Sequence, residues 1–167
     1  MVLSAVVTGS AQPTGKVTFY NGASSLGSAT LDSTGTATLS TAKLPVGSNT
    51  LTAKYGGDSL DAKSTSAAAI QTVNPAQITI TLTSSPNPST SKQKVTFTAS
   101  IVSNGGAPTG SLTFSNNGTS LGTARIVGGT ATFSTTALPS GTDLVTATYA
   151  GDANHAAASG SVTQTVN

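Results

Sequence analysis

Two aspartates, Asp58 and Asp152, close similar Gly-Asp pairs and are the first candidates for chemistry in this sequence. Asp58 has Asp61 nearby and Asp152 has Asn154 nearby, and such oxygens are the ligands that calcium takes in proteins. The alternative is an Asx-type turn, in which the carboxylate accepts backbone N–H groups that follow it. Calcium needs about six to eight oxygens, and these stretches offer few. We favour the turn at both positions, and we predict no metal ligand and no cofactor.

Catalysis has little support in the residue types. His155 is the only histidine, glutamate is absent, and the five aspartates form no convincing pair of the kind that a glycosidase requires. No strand–turn–helix context surrounds a serine as it does in a nucleophile elbow. We therefore predict no catalytic residue and no enzymatic activity, and we expect His155 to be a solvated loop residue.

The overall composition excludes several classes of protein. The chain of 167 residues has 7% charged residues, a net charge of +2 and no cysteine. Its seven Lys and Arg residues are scattered, whereas nucleic-acid binding needs clustered cations and stacking aromatics. Its apolar runs are too short to span a bilayer. We therefore expect no disulfide, no nucleic-acid partner and no membrane insertion.

The sequence contains an internal repeat. "PTGKVTFYNGASSLGSATL" at 13–31 returns as "PTGSLTFSNNGTSLGTARI" at 108–126, and "TATLSTAKLPVGSNTLTAKYGGD" at 36–58 returns as "TATFSTTALPSGTDLVTATYAGD" at 130–152. The alignment needs only single-residue gaps, which we predict to lie in turns or loops. The sequence thus contains two copies of one module of about 93 residues.

Short strands are predicted throughout the second copy, because apolar residues alternate with Thr and Ser between turn residues. Seven strands with one apolar face in about 90 residues predict an all-β, two-sheet sandwich. The inward positions are predicted to be Ile78, Ile80 and Leu82; Val95, Phe97, Ala99 and Ile101; Leu112 and Phe114; Leu121, Ala124 and Ile126; Ala131 and Phe133; Leu144 or Val145, Ala147 and Tyr149; and Val162 and Val166.

The ordered string "PTGxxTF…NGxxSLGxA…GTAT…LPxGxxxxTAxYxGD…QTV" resembles the bacterial immunoglobulin-like repeat domains of the third group. The resemblance implies two tandem immunoglobulin-like β-sandwich domains, at 1–74 and 75–167. It further implies a non-enzymatic structural repeat of an extracellular or cell-surface bacterial protein, acting as a rigid spacer, stalk or fibre-forming unit. An adhesin or carbohydrate-binding module is the alternative.

The first copy has no counterpart of "PAQITITLTSSPNPSTSKQK" at 75–94, since residues 1–8 align with 95–102. Two explanations remain open at this stage. Either the sequence is a fragment of a longer array, or another subunit donates the strand in a homopolymer. In the second case the donor residues are expected to be Ile78, Ile80 and Leu82 or a matching segment elsewhere. The expected partners are adjacent repeats of the same or a neighbouring chain.

The joint between the copies lacks a Gly/Ser linker. Pro75 has a fixed φ and biases Asn74 to an extended conformation. The sequence therefore predicts a semi-rigid joint between the two copies.

Overall fold

A computed structural model describes residues 1–9 and 11–167, and the chain divides into two compact units, Met1–Asn74 and Pro75–Asn167. The described residues form strands and turns, which confirms the all-β prediction. No helix long and apolar enough to cross a bilayer occurs in this part of the chain. The strands of the first unit are β1 (Val2–Val6), β2 (Lys16–Asn21), β3 (Ser24–Thr30), β4 (Thr36–Ser40), β5 (Gly47–Tyr55), β6 (Ser64–Thr65) and β7 (Ala69–Val73). Those of the second are β8 (Ile78–Ser85), β9 (Val95–Ser103), β10 (Ser111–Asn116), β11 (Thr119–Arg125), β12 (Thr130–Thr135), β13 (Gly141–Tyr149) and β14 (Ala158–Val166).

The second unit is a sandwich of two antiparallel sheets, ordered β12-β9-β8 and β11-β10-β13-β14. The two sheets bury a shared core because alternate side chains of each strand point inward. Phe97 from one sheet and Phe114 from the other are fully buried. Val145, not its half-exposed neighbour Leu144, is the inward residue of β13.

Both units carry the same irregularity next to their central aromatic residue. The register between β10 and β11 shifts after Phe114, and that between β2 and β3 shifts after Phe19. Gly122 pairs with Phe114 at φ +152°, and a Cβ atom there would lie 2.7 Å from the ring of Phe133. A glycine is needed at this bulge because only its bare backbone leaves room for the ring.

The first unit pairs β1 with β4 in one sheet, and β3, β2 and β5 with β6 and β7 in the other. The pair Leu3–Leu39 in β1 and β4 corresponds to the pair Phe97–Phe133 in β9 and β12. β1 is thus the counterpart of β9. In the described part of the first unit, no strand takes the place beside β1 that β8 takes beside β9.

At two places the copies differ in length by one residue, and the strand pairing locates both gaps. One gap lies in the turn before β4 and its counterpart β12, as predicted. The other lies at 66–68, where the strand is interrupted between β6 and β7, whereas the corresponding β14 is continuous. This segment also lies outside the strands, as predicted, and its extra residue interrupts a strand that is continuous in the second unit.

Candidate functional site

Asp58 joins two loops at one corner of the first unit. One carboxylate oxygen accepts hydrogen bonds from the backbone N–H groups of Leu60 and Asp61, at 2.9 and 2.8 Å. The other accepts from the N–H and the hydroxyl of Thr14, at 2.8 and 2.9 Å. The Tyr55 hydroxyl completes the corner by donating to the Thr14 carbonyl, at 2.8 Å. These backbone donors, that of Leu60 first, hold the pKa of Asp58 well below its usual range.

Asp152 occupies the same corner of the second unit, where the side chains of Tyr149 and His155 are its additional partners. The Tyr149 hydroxyl donates to Oδ2 of Asp152 at 2.8 Å, and Asn154 N–H donates to Oδ1 at 2.8 Å. Nδ1 of His155 also lies 2.8 Å from Oδ1. The Asn154 backbone bond, and then the His155 and Tyr149 side chains, lower the pKa of Asp152 below its usual range.

His155 is buried, with 7% of its surface exposed, so the expectation of a solvated histidine is wrong. Its two ring nitrogens both face acceptors: Nδ1 faces Asp152, and Nε2 lies 3.0 Å from the carbonyl oxygen of Gly105. The hydrogen bond with Asp152 raises the pKa of His155 above its ordinary value. The burial was missed because Gly105 is 50 residues away in the sequence.

These two corners serve as turns that tie loops together. Each carboxylate accepts bonds from backbone N–H groups that follow it, which is the geometry of an Asx-type turn. Across residues 1–9 and 11–167, no three side chains of His, Cys, Asp or Glu are placed so that they could hold a metal ion. In the Asp152–His155 pair, the second ring nitrogen faces a backbone carbonyl rather than a nucleophile.

The Asp152 corner also binds the start of the second unit. Ala76 N–H donates to the Asn154 carbonyl, and Ala156 N–H donates to the Ala76 carbonyl, both at 2.8 Å. Gln77 N–H donates to Oδ1 of Asn104, also at 2.8 Å. Residue 76 is therefore fixed to the loop that contains His155.

A basic depression of about 700 Å³ lies on the first unit and was not predicted from the sequence. Lys16, Lys54 and Lys63 line it, and the ammonium group of Lys54 lies 4.7 Å above the ring centre of Tyr20. The signal was present in the alternation of β2, which places Lys16, Thr18 and Tyr20 on one face. The Lys and Arg residues are scattered along the sequence, so their positions in the chain did not indicate that three lysines line one depression.

Comparison with known proteins gives the following matches. The model of the bacterial Ig-like domain (group 3) matches residues 1–74 and 82–167. Among curated proteins no match was found. Among solved structures, the chain is similar to fibronectin(III)-like modules of CbhA from Clostridium thermocellum, with 22% identity, 99% of this chain and 85% of that chain covered, and a TM-score of 0.45. The two matched segments confirm the resemblance read from the repeats, and the chain belongs to the bacterial Ig-like domain family of group 3, as two tandem copies.

Proposed function

We propose that this chain is a non-enzymatic structural repeat that acts as a spacer or stalk in an extracellular or cell-surface bacterial protein. The observation that carries the proposal is the short connection between the two units. Val73 is the last paired residue of β7, and Ala76 is already hydrogen-bonded to the second unit. Only Asn74 and Pro75 lie between them.

Such a connection leaves few dihedral angles free to vary. Pro75 fixes its own φ and restricts Asn74 to extended conformations. A Gly/Ser linker would instead behave as a random coil. A joint with few free dihedral angles supports the spacer function, because a spacer needs connections that bend little.

Distances between spin labels test the proposal directly. The chain has no cysteine, so cysteines introduced at the exposed positions Thr30 and Thr123 can be labelled selectively. We expect one narrow distance distribution in the intact chain. A matched variant with Gly-Ser-Gly-Ser inserted between Asn74 and Pro75 should give a broad one. An intact chain as broad as the insertion variant would rule out a rigid spacer.

The basic depression favours a second candidate function, an adhesin that binds an anionic carbohydrate. Three ammonium groups line the depression and would attract the acidic groups of such a carbohydrate. Binding to a glycan array should be restricted to acidic glycans and should be lost in Lys54→Ala. Lys43→Ala, which alters an exposed lysine outside the depression, is the control and should bind normally. Absence of binding by the intact chain would exclude this function.

A further inference from the structure

One edge of β1 has no partner strand in the described part of the first unit. Met1 exchanges hydrogen bonds with Thr41, and Val7 N–H donates to the Gly35 carbonyl, so odd-numbered residues of this segment pair toward β4. Because an antiparallel strand alternates its hydrogen-bonding direction, the backbone groups of Val2, Ser4 and Val6 point to the opposite edge. In the second unit, the matching edge of β9 pairs with β8 from Thr96 to Ser103.

The side chains beneath that edge are also less covered than their counterparts. Phe97, Ala99 and Ile101 of β9 are at most 5% exposed. Their counterparts Leu3, Ala5 and Val7 are only partly buried. The same difference separates Val145 and Ala147 of β13, which are fully buried, from Leu51 and Ala53 of β5, which are not. The first unit therefore has a core that is open along one side.

Two cavities follow this open side. One of about 260 Å³ lies between residues 1–4 and residues 69–71, with Phe19 and Leu51 in its wall. The next, of about 300 Å³, lies between residues 5–8 and residues 64–66. Together they form a groove along β1, which we call the β1 groove. In the second unit the corresponding space is occupied by β8, which packs closely enough that a Cβ on Gly160 would lie 2.3 Å from the carbonyl oxygen of Ile80.

Gln71 lies at the Met1 end of the β1 groove, and Gln164 is its counterpart in the second unit. Gln164 is fully buried, and its Nε2 donates to the carbonyls of Pro86 and Thr165 and to the hydroxyl of Ser89. Its counterpart Gln71 is partly exposed, and its Nε2 donates to the carbonyl of the next residue. In the second unit, the segment that follows β8 therefore also binds at this end.

We propose that the β1 groove binds an extended segment with the chemistry of residues 75–94: a strand antiparallel to β1 whose alternate side chains are Ile or Leu, followed by a Pro- and Ser-containing turn. The second unit supplies the template, since Ile80 faces Ile101 and Leu82 faces Ala99, the counterparts of Val7 and Ala5. The bound strand completes the sheet and covers the open core.

The occupant is a segment of this type from a repeat other than the second unit, whether of this chain or of a second copy. β8 itself is already packed, because Ile80 and Leu82 are 8% and 6% exposed in the core of their own unit. The residues expected from the sequence to donate a strand, Ile78, Ile80 and Leu82, thus define the chemistry of the occupant rather than its source. This inference goes beyond the proposed spacer function and does not rest on it.

The test adds a second copy of residues 75–94 directly before Met1 of the whole chain, which reproduces the connection from Lys94 to Val95 in the second unit. Hydrogen exchange is measured by NMR at Val2, Ser4 and Val6. We expect exchange at these amides to slow by at least about tenfold and the melting temperature of the first unit to rise by about 5 °C or more. The added strand provides the hydrogen-bond partners that these amides lack.

A register-shifted extension is the matched control. It exchanges each Ile or Leu of the added strand with its neighbouring Thr, so that composition is kept and the apolar residues face the solvent. This control should leave exchange at β1 unchanged. Equal protection by both extensions, or by neither, would overturn the proposal.

Sedimentation of the unextended chain tests the choice of occupant. We expect a monomer whose β1 amides exchange at the same rate at all concentrations. A dimer that forms with rising concentration and protects these amides would show that β8 of a second copy fills the groove, and would overturn the assignment to a repeat other than the second unit.

Discussion

Nδ1 of His155 lies 2.8 Å from Oδ1 of Asp152, inside the loop to which the first residues of the second unit are bound. The pKa of His155 is raised and that of Asp152 is lowered, each chiefly by hydrogen bonds that favour the charged form. The pair is therefore most favourable when the imidazole is protonated and the carboxylate is ionised.

This pair predicts a pH dependence of the second unit. The contribution of His155 is complete below its ordinary pKa of 6.5 and is lost as the pH rises through its raised value in the folded state. That of Asp152 is present above its ordinary pKa of 3.8 and is lost as the pH falls through its lowered folded value. We expect the second unit to be more stable at pH 5.5 than at pH 8.5, as measured by thermal unfolding of the whole chain.

His155→Gln is the control for this prediction, because glutamine is neutral at both pH values. The difference in melting temperature between pH 5.5 and pH 8.5 should shrink in the variant. An NMR titration of the ring of His155 with a midpoint at or below 6.5 would contradict the prediction.

Asp143 offers a second prediction, because the first unit has asparagine at the same place. Asp143 is buried, and its Oδ1 accepts from the Asn116 side chain at 2.6 Å, whereas its Oδ2 has no hydrogen-bond partner in the described part of the chain. The counterpart Asn49 donates to the carbonyls of Pro45 and Gly47, at 2.9 and 3.1 Å. An amide at position 143 could make the same two bonds.

We expect Asp143→Asn to raise the free energy of unfolding of the second unit by about 1–2 kcal/mol, because an unpaired buried oxygen is replaced by a satisfied donor. Urea unfolding of the whole chain measures the effect. The reverse change, Asn49→Asp, should destabilise the first unit by a similar amount. If Asp143→Asn destabilises the second unit, the buried carboxylate has a role that these contacts do not show.

The fold could be predicted from the sequence because its signals are local. Alternation of apolar residues with Thr and Ser set the strands, and glycines and prolines set the turns, so the seven strands of the second unit were found. The burial of His155 could not be found in this way, since one of its partners is Gly105 in a distant loop. The strand break at 66–68 was not predicted, because no Gly, Pro, Asn or Asp marks it: these residues are Ser-Ala-Ala.

The β-bulge glycines give a third prediction that compares the two units. A Cβ at Gly122 would lie 2.7 Å from the Phe133 ring, but one at Gly27 would lie 3.3 Å from the end of the flexible Leu39 side chain. Both backbones have positive φ, so alanine is strained at either position. The added clash with the ring should make Gly122→Ala more destabilising than Gly27→Ala by about 1–3 kcal/mol. Equal losses of unfolding free energy in urea would show that the ring moves aside freely.

Gly160 gives the last prediction, which concerns the contact between β8 and β14. Its backbone is so close to β8 that a Cβ would lie 2.3 Å from the carbonyl oxygen of Ile80. Because that atom belongs to the backbone and cannot rotate away, Gly160→Ala must push the two strands apart. We expect a loss of about 1–3 kcal/mol in the free energy of unfolding of the second unit, with faster hydrogen exchange along β8. Ser161→Ala, one residue further on an exposed position of the same strand, is the control. If the two variants are equally stable, then β8 does not depend on close packing against β14, and a strand bound in the β1 groove would not need it either.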